Sequence, residues 1–388
     1  MAVTTHAVPP PGVPPKLRSE LERGLTLPAA WYSDEGVYRL EQERIFARSW
    51  QYAGIAADVA EPGQFLTCTA GDTPLVVVRG RDGALRALVN VCRHRGHLVA
   101  QGCGRRETLQ CPYHAWTYDL DGSLRTAPRS DREPGFDTND WSLGEASVDT
   151  WGPFVFVNPE PAAAPLADTL GSVPEALAAA GLDVSALEYH GRSREWLVQA
   201  NWKLVVENYL ECYHCPVAHP SFSRLIDVDP DAYRLVTERW SSSQFGAVEE
   251  RDPSRYPYDP AGAVQAAQFH FVWPNWSLNV FPGPPNIRLL VFQPDGPHRT
   301  ATFVDGFWAP GTPEQVIQEI TEFGAVVGAE DTALVESVHQ GLATGLVPQG
   351  RLLLDSERLL QHFQLLVHDA LAPQIERPQE RALDRDDP

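Results

Sequence analysis

The sequence predicts an α+β protein in which a small all-β domain precedes a larger domain of antiparallel strands and long helices. The chain has 388 residues, more than one hydrophobic core usually organises, so two domains are expected. Short β-branched runs bounded by Gly, Pro and Asp fill residues 50–157. From residue 187 onwards, strand-like runs alternate with helical segments, a pattern that predicts a second, mixed domain.

The domain boundaries follow from shifts in composition along the chain. We expect residues 1–16, which are rich in proline, to be disordered, and the charged tail 374–388 to be frayed. Residues 17–49 are expected to form a helical segment that packs on the larger domain. The β domain is expected at 50–160 and the larger domain at 161–373.

Charge and cysteine usage exclude several classes of protein. The formal net charge of −20 disfavours a nucleic-acid or anionic-membrane partner, because both would repel the chain. No apolar run reaches the roughly 18–20 residues that span a bilayer, and the first residues lack the basic-then-apolar pattern of a signal peptide. Six cysteines in a chain of this length do not make a disulfide scaffold. A cytoplasmic protein with clustered metal-binding residues is expected.

Within each domain the elements can be placed in order. The runs "TPLVVVRG", "LRALVNV" and "GPFVFVNP" predict strands of the first domain, with hairpin turns at "RDG" and "LDG". In the second domain, "SREWLVQANW" and "RLLVFQPDGPHRTATFVDGFW" predict strands. A helix is predicted over residues 201–215, stopped by Pro216, and a long helix over residues 313–344.

Two Cys/His pairs form the first candidate metal site. Cys92 and His94 lie on one arm, and Cys111 and His114 lie on another. Two thiolates and two imidazoles fit either a tetrahedral zinc site or a [2Fe–2S] centre with the cysteines on one iron and the histidines on the other. Zinc fingers usually pair like with like, whereas each arm here carries one ligand of each kind. The pattern therefore favours the two-iron centre, which carries electrons and performs no bond chemistry on a substrate.

A second candidate site lies in "ENYLECYHCPVAHP". His214 and His219 are five residues apart and would diverge by about 140° on one continuous helix. Because Pro216 breaks the helix between them, His219 is expected to fold back beside His214 from the following turn. Two imidazoles and one carboxylate would form the facial triad of a mononuclear Fe(II) site with positions open for O₂. Cys212 and Cys215 flank this site, and a thiolate ligand is a less favoured alternative.

The third ligand of such a triad must come from a distant carboxylate. Asp331 is the first candidate, because Leu334, Val335, Val338 and Leu342 share its helical face and a carboxylate among apolar side chains needs a partner or a metal. Glu330 and Glu336 are the second and third candidates.

Two other side chains near His214 are predicted to take part in the chemistry. Glu211 precedes His214 by three residues on the same face and is expected to orient its imidazole. Asn208 lies one turn earlier on that face and is also expected near the iron.

The stretches "CRHRG" and "CPYHAW", with "ENYLECYHCPVAHP" and "EDTALVE", resemble the α-subunits of the Rieske non-heme iron oxygenases. "WPNWSLNVFPG" and "LPAAWYSDEGVYRLEQERIFARSWQYAG" are similar to this family as well, so the resemblance covers about residues 30–370. Within the family, the chain looks most like the group that oxidises small quaternary amines and betaines, such as the choline, glycine betaine and carnitine monooxygenases and stachydrine demethylase. One departure is Ala115, where the family usually has Gly; a methyl group is expected to be tolerated there if φ is negative.

This resemblance implies a Rieske domain followed by a catalytic domain of the helix-grip type, with a [2Fe–2S] Rieske cluster, a mononuclear Fe(II) and O₂ as co-substrate. It also implies a homotrimer in which the cluster of one chain faces the iron of its neighbour. Glu211 would then join His214 to the neighbour's counterpart of His114. Electrons would come from a separate flavin- and ferredoxin-type NAD(P)H reductase, since this chain has neither a GxGxxG fingerprint nor ferredoxin cysteine spacing.

The substrate pocket is predicted from a cluster of aromatic residues, which could hold a trimethylammonium group by cation–π attraction. Packing in the core is the more common role for any one of them. A small quaternary amine is the first candidate substrate, and an aromatic or natural-product substrate is the second. An electron carrier without oxygenase activity is disfavoured, because it needs no facial triad. The predicted pocket residues are Phe271, Trp273, Trp276, Asn279 and Phe281.

Overall fold

The computed structural model describes residues 13–193, 195–248 and 263–372. The expectations for the Pro-rich start of the chain and for the charged tail at 374–388 therefore fall almost wholly outside the described residues. All strand pairs within the described sheets are antiparallel. Together with the long helices, this arrangement confirms the predicted α+β class.

The first domain contains ten strands, which form a seven-stranded sheet in the order β1-β10-β9-β4-β3-β2-β5 and a small sheet β6-β7-β8. The strands are β1 (Gln51–Ile55), β2 (Gln64–Ala70), β3 (Thr73–Arg79), β4 (Leu85–Val89), β5 (Cys103–Arg105), β6 (Leu109–Gln110), β7 (Thr117–Tyr118), β8 (Leu124–Thr126), β9 (Glu145–Trp151) and β10 (Phe154–Asn158). The three runs predicted as strands correspond to β3, β4 and β10, and the two predicted turns join β3 to β4 and β7 to β8.

The second domain contains an eight-stranded sheet in the order β11-β18-β17-β16-β15-β14-β13, with β12 also pairing with β18. The strands are β11 (Glu188–Arg192), β12 (Trp196–Val198), β13 (Arg234–Thr237), β14 (Ser241–Ala247), β15 (Ala266–Val272), β16 (Trp276–Val280), β17 (Asn286–Pro294) and β18 (Thr300–Trp308).

Nine α-helices lie in the described residues. They are α1 (Leu17–Glu22), α2 (Glu35–Arg44), α3 (Leu166–Leu170), α4 (Val173–Ala179), α5 (Trp202–Tyr209), α6 (Cys215–Ala218), α7 (Pro220–Leu225), α8 (Glu314–Ala343) and α9 (Arg358–Leu371). The prediction of one long helix over 313–344 is confirmed by α8. Within the described ranges, no helix is both long enough and apolar enough to cross a membrane.

The prediction of one helix over residues 201–215 is wrong about where this helix ends. Helix α5 stops at Tyr209, and Pro216 does not terminate a helix but lies in the first turn of α6. Proline is accepted there because the first backbone N–H groups of a helix have no intrahelical partner. Residues 210–214 consequently form a connecting loop, and His214 and His219 flank the short helix α6.

The two faces of the larger sheet have different roles because side chains alternate along each strand. One face packs on the first domain, where Trp276 meets Phe156 at a ring distance of 4.7 Å within a core shared with α3 and α4. The opposite face is covered by α5, α8 and α9, whose aromatic and aliphatic side chains fill a second core. The functional cavity opens on this second face.

A buried polar network ties the N-terminal segment to α5 and α9. The hydroxyl of Tyr32 donates to Glu207 at 2.7 Å, and the side-chain amide of Gln364 donates to the same carboxylate oxygen at 2.9 Å. Beside them, Lys203 forms an ion pair with Glu41 at 2.6 Å, and both side chains are almost fully buried. Burial outweighs the hydrogen bonds and raises the pKa of Glu207 to about 7.

Glu207 should make the stability of the protein depend on pH. A carboxyl group whose pKa is raised by folding stabilises the native state below its unfolded pKa, and this contribution is lost as the pH rises through its folded pKa. Between pH 4.5 and pH 7, wild type should lose up to about 3 kcal/mol relative to Glu207→Gln. Thermal unfolding at pH 5 and pH 8 measures the difference, with the exposed Glu175→Gln as control. Equal pH profiles for wild type and Glu207→Gln would contradict this assignment.

Candidate metal centres

The first candidate centre consists of two fingertip loops with matching backbone hydrogen bonds. The N–H of Gly96 donates to the carbonyl of Cys92 at 3.0 Å, and the N–H of Ala115 donates to the carbonyl of Cys111 at 3.0 Å. Each cysteine N–H in turn donates to the carbonyl oxygen of the residue five positions later, at 2.8 Å in both loops. The two arms predicted from the sequence are therefore equivalent loops that present one Cys and one His each.

The four donors separate by chemical type. Cys92 and Cys111 are buried, and their thiols interact with each other while burial raises the pKa of Cys111. The rings of His94 and His114 lie 4.6 Å apart, edge to face, at the exposed end of the loops. A single zinc ion would need all four donors around one point, but these four residues form no such group among the described residues. The separated pairs fit a cluster with two thiolates on one iron and two imidazoles on the other.

Aromatic side chains enclose the buried end of this centre. The hydroxyl of Tyr118 lies 3.4 Å from the Cys92 sulfur and accepts a hydrogen bond from the Arg93 N–H at 3.0 Å. Trp116 stacks on His94 with 5.0 Å between ring centroids and an angle of 11°. Both aromatic side chains are buried, so they shield the thiolates from water and leave the imidazoles at the surface.

The expectation for Ala115 is corrected by its backbone. Its φ is +57°, in the left-handed region, and it matches Gly96 of the other loop, whose φ is +76°. An alanine in this conformation carries strain of about 1–2 kcal/mol, because its Cβ approaches the following carbonyl oxygen.

Replacing Ala115 with Gly should therefore stabilise the first domain. We expect a gain of about 0.5–1 kcal/mol, the relieved strain less the greater flexibility of Gly in the unfolded chain. The reciprocal variant Gly96→Ala should lose a similar amount, although an added Cβ there meets no atom within 4 Å. Thermal bleaching of the visible cluster absorption measures both. A stability loss in Ala115→Gly would contradict the strain argument.

The second candidate centre brings together the three residues predicted as a triad. The Nε2 atom of His219 lies 3.1 Å from Nε2 of His214 and 2.9 Å from Oδ1 of Asp331. His214 Nε2 lies 3.4 Å from the same carboxylate oxygen. Among the described residues, these three are the only group of His, Cys, Asp or Glu whose ligand atoms all lie within 4.8 Å. Two imidazoles and one carboxylate fit a mononuclear Fe(II) and leave further coordination positions open.

A second carboxylate holds the outer nitrogen of each imidazole. Glu211 accepts from Nδ1 of His214, and Glu330 lies 2.7 Å from Nδ1 of His219. Both Nε2 atoms therefore point towards Asp331, the arrangement that orients histidine ligands in metalloproteins. Glu330, the second candidate ligand, thus contacts the far side of His219. Glu336, the third, instead accepts a hydrogen bond from the Gln199 N–H at 2.9 Å.

The histidines and carboxylates of this centre stabilise one another's charged forms. Burial disfavours protonation of His214, but hydrogen bonds to Asp331 and Glu211 outweigh it and raise its pKa to about 9. Burial acts in the opposite direction on Asp331, but hydrogen bonds from both histidines hold its pKa below the usual value. In the metal-free chain, protons lie between the two histidines and Asp331. A metal cation bound between the same atoms would replace these protons.

One expectation about this region needs correction, and one less favoured alternative is excluded. Leu334 and Val338, which share the helical face of Asp331, are 38% and 48% exposed, so only part of the apolar stripe is buried. Cys212 and Cys215 form a disulfide, so neither sulfur is available as a thiolate ligand.

A cavity of about 560 Å³ lies next to this centre. Asn208, Glu211 and the three triad residues line it, as do Asn279 and Phe281 from the predicted pocket. Phe281 is buried in an aromatic group with Phe269, 5.7 Å away between ring centroids. The aromatic residues that line the cavity are Trp196, Tyr209, Phe222, Tyr233, Phe269 and Phe281.

Three of the predicted pocket residues do not line the cavity. Phe271 and Trp273 pack against Phe363 of α9, at ring distances of 5.7 and 5.9 Å. Trp276 points to the opposite face of the sheet, towards the first domain. The prediction selected aromatic residues by their closeness in sequence, whereas the strand register decides which of them face the cavity.

The comparisons with known proteins agree with both centres. Residues 49–146 match the Rieske [2Fe-2S] domain, and residues 181–372 match the ring hydroxylating alpha subunit catalytic domain. The oxygenase subunit of carnitine monooxygenase from Acinetobacter pittii is 34% identical, with 88% of this chain and 94% of the relative covered. The chloroplastic choline monooxygenase of Spinacia oleracea is 30% identical, with coverage of 93% and 80%.

The fold is also similar to solved structures. The quaternary ammonium Rieske monooxygenase CntA in complex with L-carnitine is 31% identical, covers 92% of this chain and 99% of its own, and superposes with a TM-score of 0.78. Naphthalene 1,2-dioxygenase from Rhodococcus sp. has the same TM-score of 0.78 at 20% identity, and this similarity concerns the fold alone. The chain belongs to the Rieske non-heme iron oxygenases and is the terminal oxygenase component of a monooxygenase that uses a [2Fe–2S] cluster, a mononuclear iron and O₂.

Proposed function

We propose that this oxygenase acts on a small quaternary amine and hydroxylates an N-methyl group or a carbon beside it. The observation that carries this proposal is the cavity, which is lined by aromatic rings and lies next to His214, His219 and Asp331. Each aromatic face attracts a trimethylammonium group by about 0.5–2 kcal/mol. The names of the carnitine and choline monooxygenases, which are similar over most of the chain, support the same substrate class.

The residues of the two centres would have separate roles as ligands of the cluster and of the mononuclear iron. Cys92 and Cys111 would hold one iron of the cluster, and His94 and His114 would hold the other. His214, His219 and Asp331 would hold the mononuclear Fe(II), which supplies the site where O₂ is activated for attack on a C–H bond. An N-methyl group hydroxylated in this way leaves as formaldehyde, so the outcome would be N-demethylation.

Several side chains in or beside the cavity would position the substrate and the metal ligands. Glu211 and Glu330 fix the orientation of the two imidazoles. Asn279 accepts a hydrogen bond from the Tyr209 hydroxyl at 2.6 Å, which holds the Tyr209 ring against the cavity. Asn208 also lines the cavity, where its side chain would provide a polar contact for substrate or O₂.

Electron transfer between neighbouring chains of a homotrimer is the arrangement we propose. His94 and His114 are exposed at the fingertip, and the surface beside the second centre includes Tyr213 and Val217, which are 60% and 88% exposed. A neighbouring fingertip would cover these side chains and bring its imidazole to Glu211. The related CntA structure is described as giving insight into inter-subunit electron transfer. A separate NAD(P)H reductase would supply the electrons.

Formaldehyde release from a panel of substrates tests the proposal. Purified protein with both centres filled would be supplied with hydrogen peroxide, which replaces O₂ and the reductase. The panel contains carnitine, glycine betaine, stachydrine, choline and several aromatic methyl ethers. We expect formaldehyde or another hydroxylation product from at least one quaternary amine, and no formaldehyde from the ethers. Formaldehyde from the ethers alone would overturn the substrate class and leave the oxygenase assignment intact.

A further inference from the structure

A row of four side chains crosses the sheet beneath the cavity. Gln244 pairs with Phe269, Phe269 with Asn279, and Asn279 with Arg288, in successive strands β14 to β17. Residues paired in this way point to the same face of a sheet, and all four line the cavity. Arg288 is therefore aimed at the cavity by the strand register, although only 8% of it is exposed.

Helix α8 relates the position of Arg288 to that of the second metal centre. Its guanidinium packs against Gly324 of α8, where an added Cβ would overlap it. Gly324 and Asp331 are seven residues apart on this helix, so they share nearly the same face and are separated by about 10 Å along the axis. The triad and the guanidinium of Arg288 therefore lie about two helical turns apart along the cavity.

The charges along the cavity have opposite signs at these two positions. Glu211, Asp331 and Glu330 surround the two histidines, and three carboxylates exceed the two positive charges that Fe(II) would bring. The Arg288 guanidinium lies 5.9 Å from the Phe281 ring and forms part of the cavity lining. A planar guanidinium in such a place is suited to bind a carboxylate through two parallel hydrogen bonds.

We propose that Arg288 binds a carboxylate of the substrate, so that the natural substrate is a zwitterionic betaine and not a choline-type alcohol. This inference rests on the proposed function and makes it more specific. The quaternary ammonium would lie among the aromatic rings with an N-methyl group towards His214, His219 and Asp331. The carboxylate would lie two helical turns away on Arg288. The similar proteins act, by their names, on carnitine or on choline, and only the first carries a carboxylate.

Arg288→Gln tests the carboxylate contact directly. Formaldehyde release and calorimetric binding would be measured for carnitine and for its methyl ester, which has nearly the same shape but no negative charge. Wild type should prefer the acid by at least about 30-fold, because breaking one side of a buried charge pair is costly. Arg288→Gln should lose at least about 30-fold in kcat/KM and in affinity for the acid, with little change for the ester.

A second variant moves the guanidinium without removing it. Gly324→Ala adds a Cβ that would overlap the guanidinium of Arg288, and alanine is a better helix former than glycine, so α8 itself should not be weakened. It should reduce activity on the acid more than on the ester. Gly341→Ala on the same helix is the matched control, since its added Cβ meets no atom within 4 Å, and it should resemble wild type with both substrates.

The outcomes separate this inference from the proposed function. Equal losses on acid and ester in Arg288→Gln would mean that Arg288 only supports the fold, and would overturn the inference. Wild-type preference for choline or for the ester would also overturn it while supporting oxidation of quaternary amines. The absence of both formaldehyde and any other hydroxylation product from every quaternary amine, charged or esterified, would overturn the proposed function as well. Iron content and the cluster spectrum verify that each variant is folded.

Discussion

Asp331→Ala should abolish mononuclear iron binding while the visible spectrum of the cluster is unchanged. Among the described residues, Asp331 is the carboxylate whose oxygen lies near Nε2 of both His214 and His219, so the variant leaves two neutral ligands and no charged ligand. The loss of iron affinity should exceed the 10–100-fold typical of removing an outer hydrogen-bond partner. Product formation should fall to background, because only the cluster remains. Iron analysis, which should change from about three irons per chain to about two, measures the effect.

Glu330→Gln is the matched control for Asp331→Ala. Glu330 contacts Nδ1 of His219, so an amide in its place keeps a hydrogen-bond acceptor there and removes only the charge. We expect this variant to retain its iron with about 10–100-fold weaker affinity. If Asp331→Ala kept the third iron and Glu330→Gln lost it, the ligand assignment would have to move to Glu330.

Glu211→Gln should keep both metal centres and stop electron transfer between them. The amide oxygen still accepts from Nδ1 of His214, so the imidazole stays oriented, but the charge that would join the neighbouring chain's imidazole is gone. We expect reductase-driven turnover to fall by about 100-fold, the upper range for loss of such an outer partner. Turnover with hydrogen peroxide should be preserved, because that route needs no electron from the cluster.

Two comparisons make the Glu211→Gln result specific. Glu330→Gln removes the same charge beside the other imidazole and should lower the reductase-driven and peroxide-driven rates together. Size-exclusion chromatography with light scattering establishes whether the variant still forms the expected trimer. Normal reductase-driven turnover in trimeric Glu211→Gln would refute the bridging role.

Much of the two centres could be predicted because their ligands lie close together in sequence. Each fingertip carries its Cys and His within a few residues, and the triad histidines are five residues apart, so spacing alone indicates metal chemistry. Asp331 could be proposed only by helical periodicity, and the supporting stripe is partly exposed at Leu334 and Val338. The three residues nevertheless converge in the structure.

The cavity was predicted poorly because its lining depends on long-range strand pairing. Phe269 and Phe271 lie on the same face of β15, yet only Phe269 lines the cavity, since α9 covers Phe271. Trp276 could not be assigned to either face without knowing that Trp276 meets Phe156 of the first domain. The direction in which Arg288 points follows from its pairing with Asn279, which a local sequence pattern does not reveal.

The role of Glu330 illustrates a similar limit. The sequence indicated a second carboxylate next to Asp331, but a helix position alone does not distinguish a metal ligand from a residue that holds a ligand. The distance of 2.7 Å from Glu330 to Nδ1 of His219 makes that distinction. The resemblance indicated that Gly is usual at position 115, but only the observed φ of +57° shows that the backbone of Ala115 is left-handed.

A single-turnover experiment tests the central claim most directly. The cluster of the purified protein would be reduced chemically, excess reductant removed, and the protein mixed with air-saturated buffer containing carnitine or another trimethylated betaine. We predict that formaldehyde or a hydroxylated product appears as the cluster is reoxidised, and that Asp331→Ala yields none. Reoxidation of the cluster without product from any quaternary amine, or equal product from Asp331→Ala, would contradict an oxygenase of quaternary amines built on these two centres.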